Sequence, residues 1–275
     1  MQNLNEKFRK TDAQISYSCR AKYYYNLDGI PTLACVQKFS DAKFRESGWE
    51  ALDKEPKAVE KSVEKDTETS SFANIQRATR RAKILAFDYI MNNPDLDLFA
   101  TFTYSPEAVE EKDSYDECYR ALGVWLSNRV QRCGLKYVIV PERTKAGDIH
   151  FHAIMNSTAV KLSNALSPYT SRQLTHNGKP LYNITDWKFG FTSAEFIATA
   201  DGDRRAVSKY IFKYMGKQMG QKIGGRYVLT GGELRKPLYV YSDDECEFFE
   251  PGEEKFSRDM YLEECGLSYK EWSFI

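Results

Sequence analysis

Two short runs joined by a polar loop constrain this chain more than anything else in it. Lys136-Tyr137-Val138-Ile139-Val140 and Ile149-His150-Phe151-His152-Ala153-Ile154-Met155 are β-prone, and the loop between them contains Lys145-Ala146-Gly147-Asp148. Such neighbours are expected to pair antiparallel. Around them the pattern alternates. Leu98 to Tyr104 reads as a buried strand, Tyr115 to Cys133 as a helix with Tyr119, Leu122, Leu126 and Val130 on one side, and Gly134 as its C-terminal stop. A strand near Phe189 to Phe196 and a helix from about Arg204 to Lys217 follow, with Arg226 to Leu229 closing the sheet. Strand, helix, hairpin, strand, helix is an α+β order: a central antiparallel sheet flanked by helices.

Upstream, Ala21 to Tyr25 and Thr32 to Val36 are separated by Asn26-Leu27-Asp28-Gly29-Ile30-Pro31, the composition of a hairpin. Glu50 to Ser71 is dominated by Glu, Lys, Asp, Ser and Thr and reads as a linker. Ser71 then caps a helix reaching about Asn92, with Ile75, Ala78, Ala82, Leu85, Ala86 and Tyr89 as its apolar stripe. The expected organisation is an N-terminal hairpin and charged linker over 1–70, a core domain over 71–242, and an acidic tail over 243–275.

The 39 basic and 39 acidic residues cancel, so net charge points to no partner. Their distribution says more. Arg77, Arg80, Arg81 and Lys83 meet only Asp88 within 71–93, and 204–226 is also rich in Arg and Lys, whereas acid collects after 243. The six cysteines form no C-x-x-C pair, which excludes a zinc knuckle and a disulfide framework and leaves free thiols. No apolar stretch approaches the roughly 20 residues of a membrane span, and Met1 to Lys7 lacks a secretory signal. A cytoplasmic, reducing compartment and no membrane partner are expected.

On a strand, alternate residues share a face, so His150 and His152 project together about 7 Å apart. Two of the chain's three histidines therefore suit one divalent ion. Glu142 is the candidate carboxylate, provided it pairs with His150 or His152; pairing with Ile149 or Phe151 would turn it away. Pro141 beside it is a complication, since proline cannot donate to a ladder. Taken alone, the same pair is also read as two half-buried histidines making ordinary hydrogen bonds. The third, His176, lies in the polar stretch Thr175-His176-Asn177-Gly178 and reads as an incidental loop residue.

In Tyr210-Ile211-Phe212-Lys213-Tyr214 the tyrosines lie four apart, hence on one helical face. A phenol with pKa near 10 becomes a nucleophile when an ammonium such as Lys213 and a metal-polarised phosphodiester assist it. Core packing is the other reading of such a stripe.

In combination and in order, these blocks resemble the HUH superfamily of rolling-circle replication initiators, in the phage and plasmid branch. Phe99-Ala100-Thr101-Phe102-Thr103-Tyr104 is similar to its first strand motif, Glu142 with Gly147 to His152 to its metal motif, and Tyr210 to Lys213 to its nucleophile motif. Tyr214 adds the look of the two-tyrosine phage initiators, and Tyr182 to Phe191 is similar to the spacer of such proteins. The resemblance spans roughly Ser71 to Pro237.

It implies an HUH (ferredoxin/RRM-like) fold and a site-specific single-strand DNA nickase. Mg²⁺ or Mn²⁺ would be held by His150, His152 and Glu142. Tyr210 would attack, Tyr214 would serve as a second nucleophile, and Lys213 would steady the phosphate. Arg77, Arg80, Arg81, Arg204, Arg205, Lys209 and Lys217 are the candidate grips on DNA. The implied partners are hairpin-bearing single-stranded origin DNA and the host replication helicase and polymerase. A two-tyrosine transposase shares the motif order. From another class, a DNA-binding replication protein that had lost catalysis would keep the fold. A cupin would need a carboxylate soon after the histidines, and the next is Asp186.

Overall fold

A computed structural model describes residues 15–29, 31–45, 67–197, 208, 211, 212, 215, 227–242, 256–262 and 267–273. In chain order these form β1 Ile15–Tyr25, β2 Pro31–Arg45, α1 Thr67–Asn92, β3 Leu98–Phe102, α2 Tyr115–Cys133, β4 Tyr137–Arg143 and β5 Ile149–Met155. They continue as β6 Leu162–Asn164, β7 Thr175–His176, β8 Lys179–Pro180, β9 Tyr182–Ile184, β10 Thr192–Phe196, β11 Leu229–Gly231, β12 Leu238–Ser242, β13 Phe256–Leu262 and β14 Leu267–Ser273.

The expected α+β class is met. Seven strands run β11-β4-β5-β3-β10-β9-β6, with every adjacent pair antiparallel. A second sheet runs β12-β1-β2-β14-β13, so residues after 242 that looked like a tail supply strands to the sheet of the N-terminal hairpin. Those pairings are long-range and leave no local signal in the sequence.

α2 ends as its sequence dictates: Gly134 takes φ 67°, and its N–H and that of Leu135 close the last turn onto Val130 and Arg129 carbonyls. One face of the seven-stranded sheet buries Ala100, Phe102, Phe151, Ala153 and Met155 against Leu122, Trp125 and Leu126 of α2. The rings of Phe102, Trp125 and Trp187 meet edge-on or tilted at 4.9–5.7 Å. The other face buries Phe99, Val138, Val140 and Ile154 with Ala86, Phe87 and Ile90 of α1, and with Tyr24, Leu33 and Cys35 of the second sheet.

α1 departs from its expected form twice. It starts at Thr67, inside the stretch taken as linker, because Glu, Lys and Ser tolerate a helix as well as a loop. Its buried stripe is Thr79, Ala86, Phe87 and Ile90, while Leu85 is 42% exposed. Both stripes satisfy helical spacing and share Ala86; the observed one buries Phe87 and Ile90 in place of Leu85 and Tyr89.

Asp88 is also on the buried side. It accepts from Lys22 at 2.8 Å, Tyr24 at 2.8 Å and Tyr239 at 3.2 Å, bolting α1 to β1 and β12. It therefore does nothing to offset Arg77, Arg80 and Arg81 at the surface. Cys19, Cys35, Cys118 and Cys133 are free thiols. No helix among the described residues is long and apolar enough to cross a membrane.

Candidate functional site

The register of β4 against β5 decides whether a carboxylate can join the histidines. Glu142 lies opposite His150 and Val140 opposite His152, without a shift along the ladder. Glu142, His150 and His152 therefore share a face, the arrangement that the sequence required of Glu142. Pro141 is accommodated because β11 pairs with β4 only from Tyr137 to Ile139, so that among the described residues the strand's outer side has no ladder partner at position 141.

His152 is 5% exposed and held on three sides. Its Nε2 lies 2.8 Å from Glu142 Oε2, and its Nδ1 lies 3.0 Å from Thr101 Oγ1. Phe99 stacks near parallel to the imidazole, with centroids 5.9 Å apart. Thr101 reaches the ring because β3 pairs with the other edge of β5, placing Thr101 opposite His152. His150 is half-buried. Burial lowers its pKa, Lys112 adds to the lowering, and Glu142 and Asp148 pull the other way, so the neutral imidazole that ligates metals is favoured.

Among the described residues no three His, Cys, Asp or Glu side chains converge tightly enough to form a ready ion cage. The Nε2 to Oε2 distance nevertheless fits two ligands of one ion. Adjacent donors at about 2.1 Å in an octahedron are roughly 3 Å apart. His150, His152 and Glu142 are thus the residues that could hold a metal, on the grounds of donor chemistry and shared face.

Tyr210, Lys213 and Tyr214 lie outside the described residues, as do Arg204, Arg205, Lys209 and Lys217. Their segment is fixed by others: Ser208, Ile211, Phe212 and Met215 are helical and buried, spaced as one face of a helix. Ile211, Phe212 and Met215 pack in the core that contains Phe99, Val138, Val140 and Ile154. The helical segment therefore docks on the sheet face that carries the histidines. Arg77, Arg80 and Arg81, spaced to share one side of α1, are exposed.

Sequence reasoning missed Thr101 and Phe99 as neighbours of His152, because the contact depends on the β3–β5 register. It also misjudged His176, which sits in β7 rather than a loop, with Nδ1 3.1 Å from Glu195 Oε2.

Fold and site together define an antiparallel α+β protein with a His-x-His and carboxylate row beside a tyrosine-bearing segment. Residues 97–219 match the family model described as replication-associated protein, of the ORF2 and gene 2 protein type, a span covering β3, the histidine hairpin and Met215. That match supports a replication-initiator assignment. No curated protein and no solved structure matches the chain.

Proposed function

We propose that this chain initiates rolling-circle replication by nicking single-stranded origin DNA with Tyr210, assisted by a divalent ion, Mg²⁺ or Mn²⁺, held by His150, His152 and Glu142. The observation that carries the reading is the shared face: the Glu142–His150–His152 group and the packed residues Ile211, Phe212 and Met215 lie on one side of the sheet. Core packing in that segment falls to residues other than its tyrosines, which supports a chemical role for Tyr210 and Tyr214.

When bound, the ion polarises the scissile phosphate. The Tyr210 phenolate oxygen attacks phosphorus, the bond to the 3′ oxygen breaks, and that oxygen takes up a proton to leave as a 3′-OH. The phenol's own proton passes to solvent. A 5′-phosphotyrosine remains, which conserves the ester, so a later attack by a 3′-OH reseals the strand. Lys213 balances charge on the phosphate in the transition state. Tyr214 serves as the second nucleophile when the regenerated origin is cut while Tyr210 is still loaded. Arg77, Arg80 and Arg81, with Arg204, Arg205, Lys209 and Lys217, hold phosphates along the strand.

The test is a covalent adduct. The full chain is incubated with Mn²⁺ or Mg²⁺ and single-stranded oligonucleotides tiling the replicon that carries its gene, then resolved under denaturing conditions. An adduct that disappears in Tyr210→Phe is expected. An undiminished adduct in that variant refutes Tyr210 as the nucleophile unless Tyr210→Phe/Tyr214→Phe abolishes it, in which case the two substitute for each other.

A further inference from the structure

We infer that Phe191 is a stacking platform for a nucleobase beside the scissile phosphate; this rests on the reading that the sheet face bearing His150 and His152 handles single-stranded DNA. Phe191 is 75% exposed. A lone exposed apolar residue is ordinary. What sets this one apart is where its backbone is held and how firmly.

The Thr103 N–H and hydroxyl both donate to the Phe191 carbonyl at 2.9 Å, and the Ser105 N–H donates to the Phe189 carbonyl at 2.9 Å. The indole of Trp187 donates to the Thr103 carbonyl at 3.2 Å. Gly190 makes this close seam possible. It adopts φ 151°, and a Cβ there would press into Thr103 O and stand 2.6 Å from Ser105 N. The segment before β10 is thus stitched to the end of β3, and the phenyl ring projects from a pinned backbone.

The register then places it. β10 pairs with β3 through Thr192 opposite Phe102 and Ser193 opposite Thr101, and β3 pairs with β5 through Phe102 opposite Phe151 and Thr101 opposite His152. One step further along, Phe191 lies opposite Thr103 and Thr103 opposite His150, which itself faces Glu142. Phe191, Thr103, His150 and Glu142 form one cross-strand row. Alternation puts Phe191 on the face of Ser193, Thr101 and His152, its backbone two strands, or about 10 Å, from that of His150. A nucleotide neighbouring a phosphate at the histidines can lay its base there.

The charge around it fits. Lys161, Arg172, Lys179 and Lys188 are exposed between positions 158 and 191. Asp186, the acid of that stretch, is bound to Arg129 at 2.7 Å. Exposed aromatic surface in a basic surround is the chemistry that binds single strands without reading sequence.

Binding of the full chain, without metal, is measured against an oligo(dT) of about 20 nucleotides and an abasic strand with the same number of phosphates. Wild type should prefer oligo(dT). Phe191→Ala should weaken oligo(dT) binding about tenfold and leave the abasic strand unchanged. Phe191→Trp should restore the preference, with indole fluorescence quenched by oligo(dT) and not by the abasic strand. The same preference in wild type and Phe191→Ala overturns the stacking assignment alone, as does a wild type that binds both strands equally. A wild type that binds neither strand overturns the nucleic-acid reading and this inference together.

Discussion

The two faces of the seven-stranded sheet are built from the same strands and differ in what alternate residues do. On the α2 face, Ala100, Phe102, Phe151, Ala153 and Met155 are wholly buried and apolar. On the other, the lower rows are equally apolar, with Phe99, Val138 and Ile154, but the upper rows change to Thr101, His152, His150 and Glu142. One face therefore supplies cohesion along its full length. The other supplies it along half and spends the rest on polar groups that need partners when buried. A site can be built there because the opposite face does not share its polar residues.

The largest effect expected from this contrast is on stability. Phe102→Ala removes a fully buried ring packed at 4.9 Å and 5.2 Å from the Trp187 and Trp125 rings. A loss of about 3–5 kcal/mol is expected, read from the midpoint of urea unfolding. Because Phe102 points away from the histidines, the fraction still folded should bind Mn²⁺ as wild type does. A metal-binding defect without a stability defect would break the division between the faces.

A smaller effect should separate positioning from ligation on the polar face. Thr101 touches His152 Nδ1 at 3.0 Å and is not itself one of the three proposed ligands. Its hydroxyl fixes the ring's orientation and tautomer, as outer partners of metal-bound histidines do. Thr101→Val, nearly equal in volume, should lower Mn²⁺ affinity by about 10- to 100-fold in calorimetry, and Thr101→Ser should recover most of it. Unchanged affinity in Thr101→Val would make the contact structural only.

Much of this was legible in the sequence where the cause is local. Gly134 stops α2, the turn at 26–29 closes the β1–β2 hairpin, and Glu142 shares a face with His150 by simple strand arithmetic across a short loop. What stayed hidden depends on partners distant in the chain. Thr101 meets His152 only through the β3–β5 register, with 51 residues of separation. Lys22, Tyr24 and Tyr239 converge on Asp88 from two strands of another sheet. The stripe of α1 was misplaced because alanines satisfy two overlapping helical faces, and only the sheet beneath decides that Phe87 goes in and Leu85 out.

The smallest expected effect uses two thiols of α2 to sharpen the same contrast. Cys118 is buried in the apolar layer, and burial pushes its thiol up to about 11, with Glu117, Asp113 and Asp148 adding to the rise and Arg143 opposing it. Cys133 sits exposed at the far end of the helix. At pH 8 roughly one Cys118 in a thousand is a thiolate, so iodoacetamide should modify Cys133 and spare Cys118. The sign of the pH dependence follows from the raised value. The unfolded chain loses this proton at lower pH than the folded one, so stability falls as pH climbs above about 9 toward 11. Over that range Cys118 should begin to label, and in Phe102→Ala it should label at lower pH, because the layer covering it opens more often. Equal labelling of Cys118 and Cys133 at pH 8 in the wild type would mean that the α2 face is not the closed layer that leaves the other face available for chemistry.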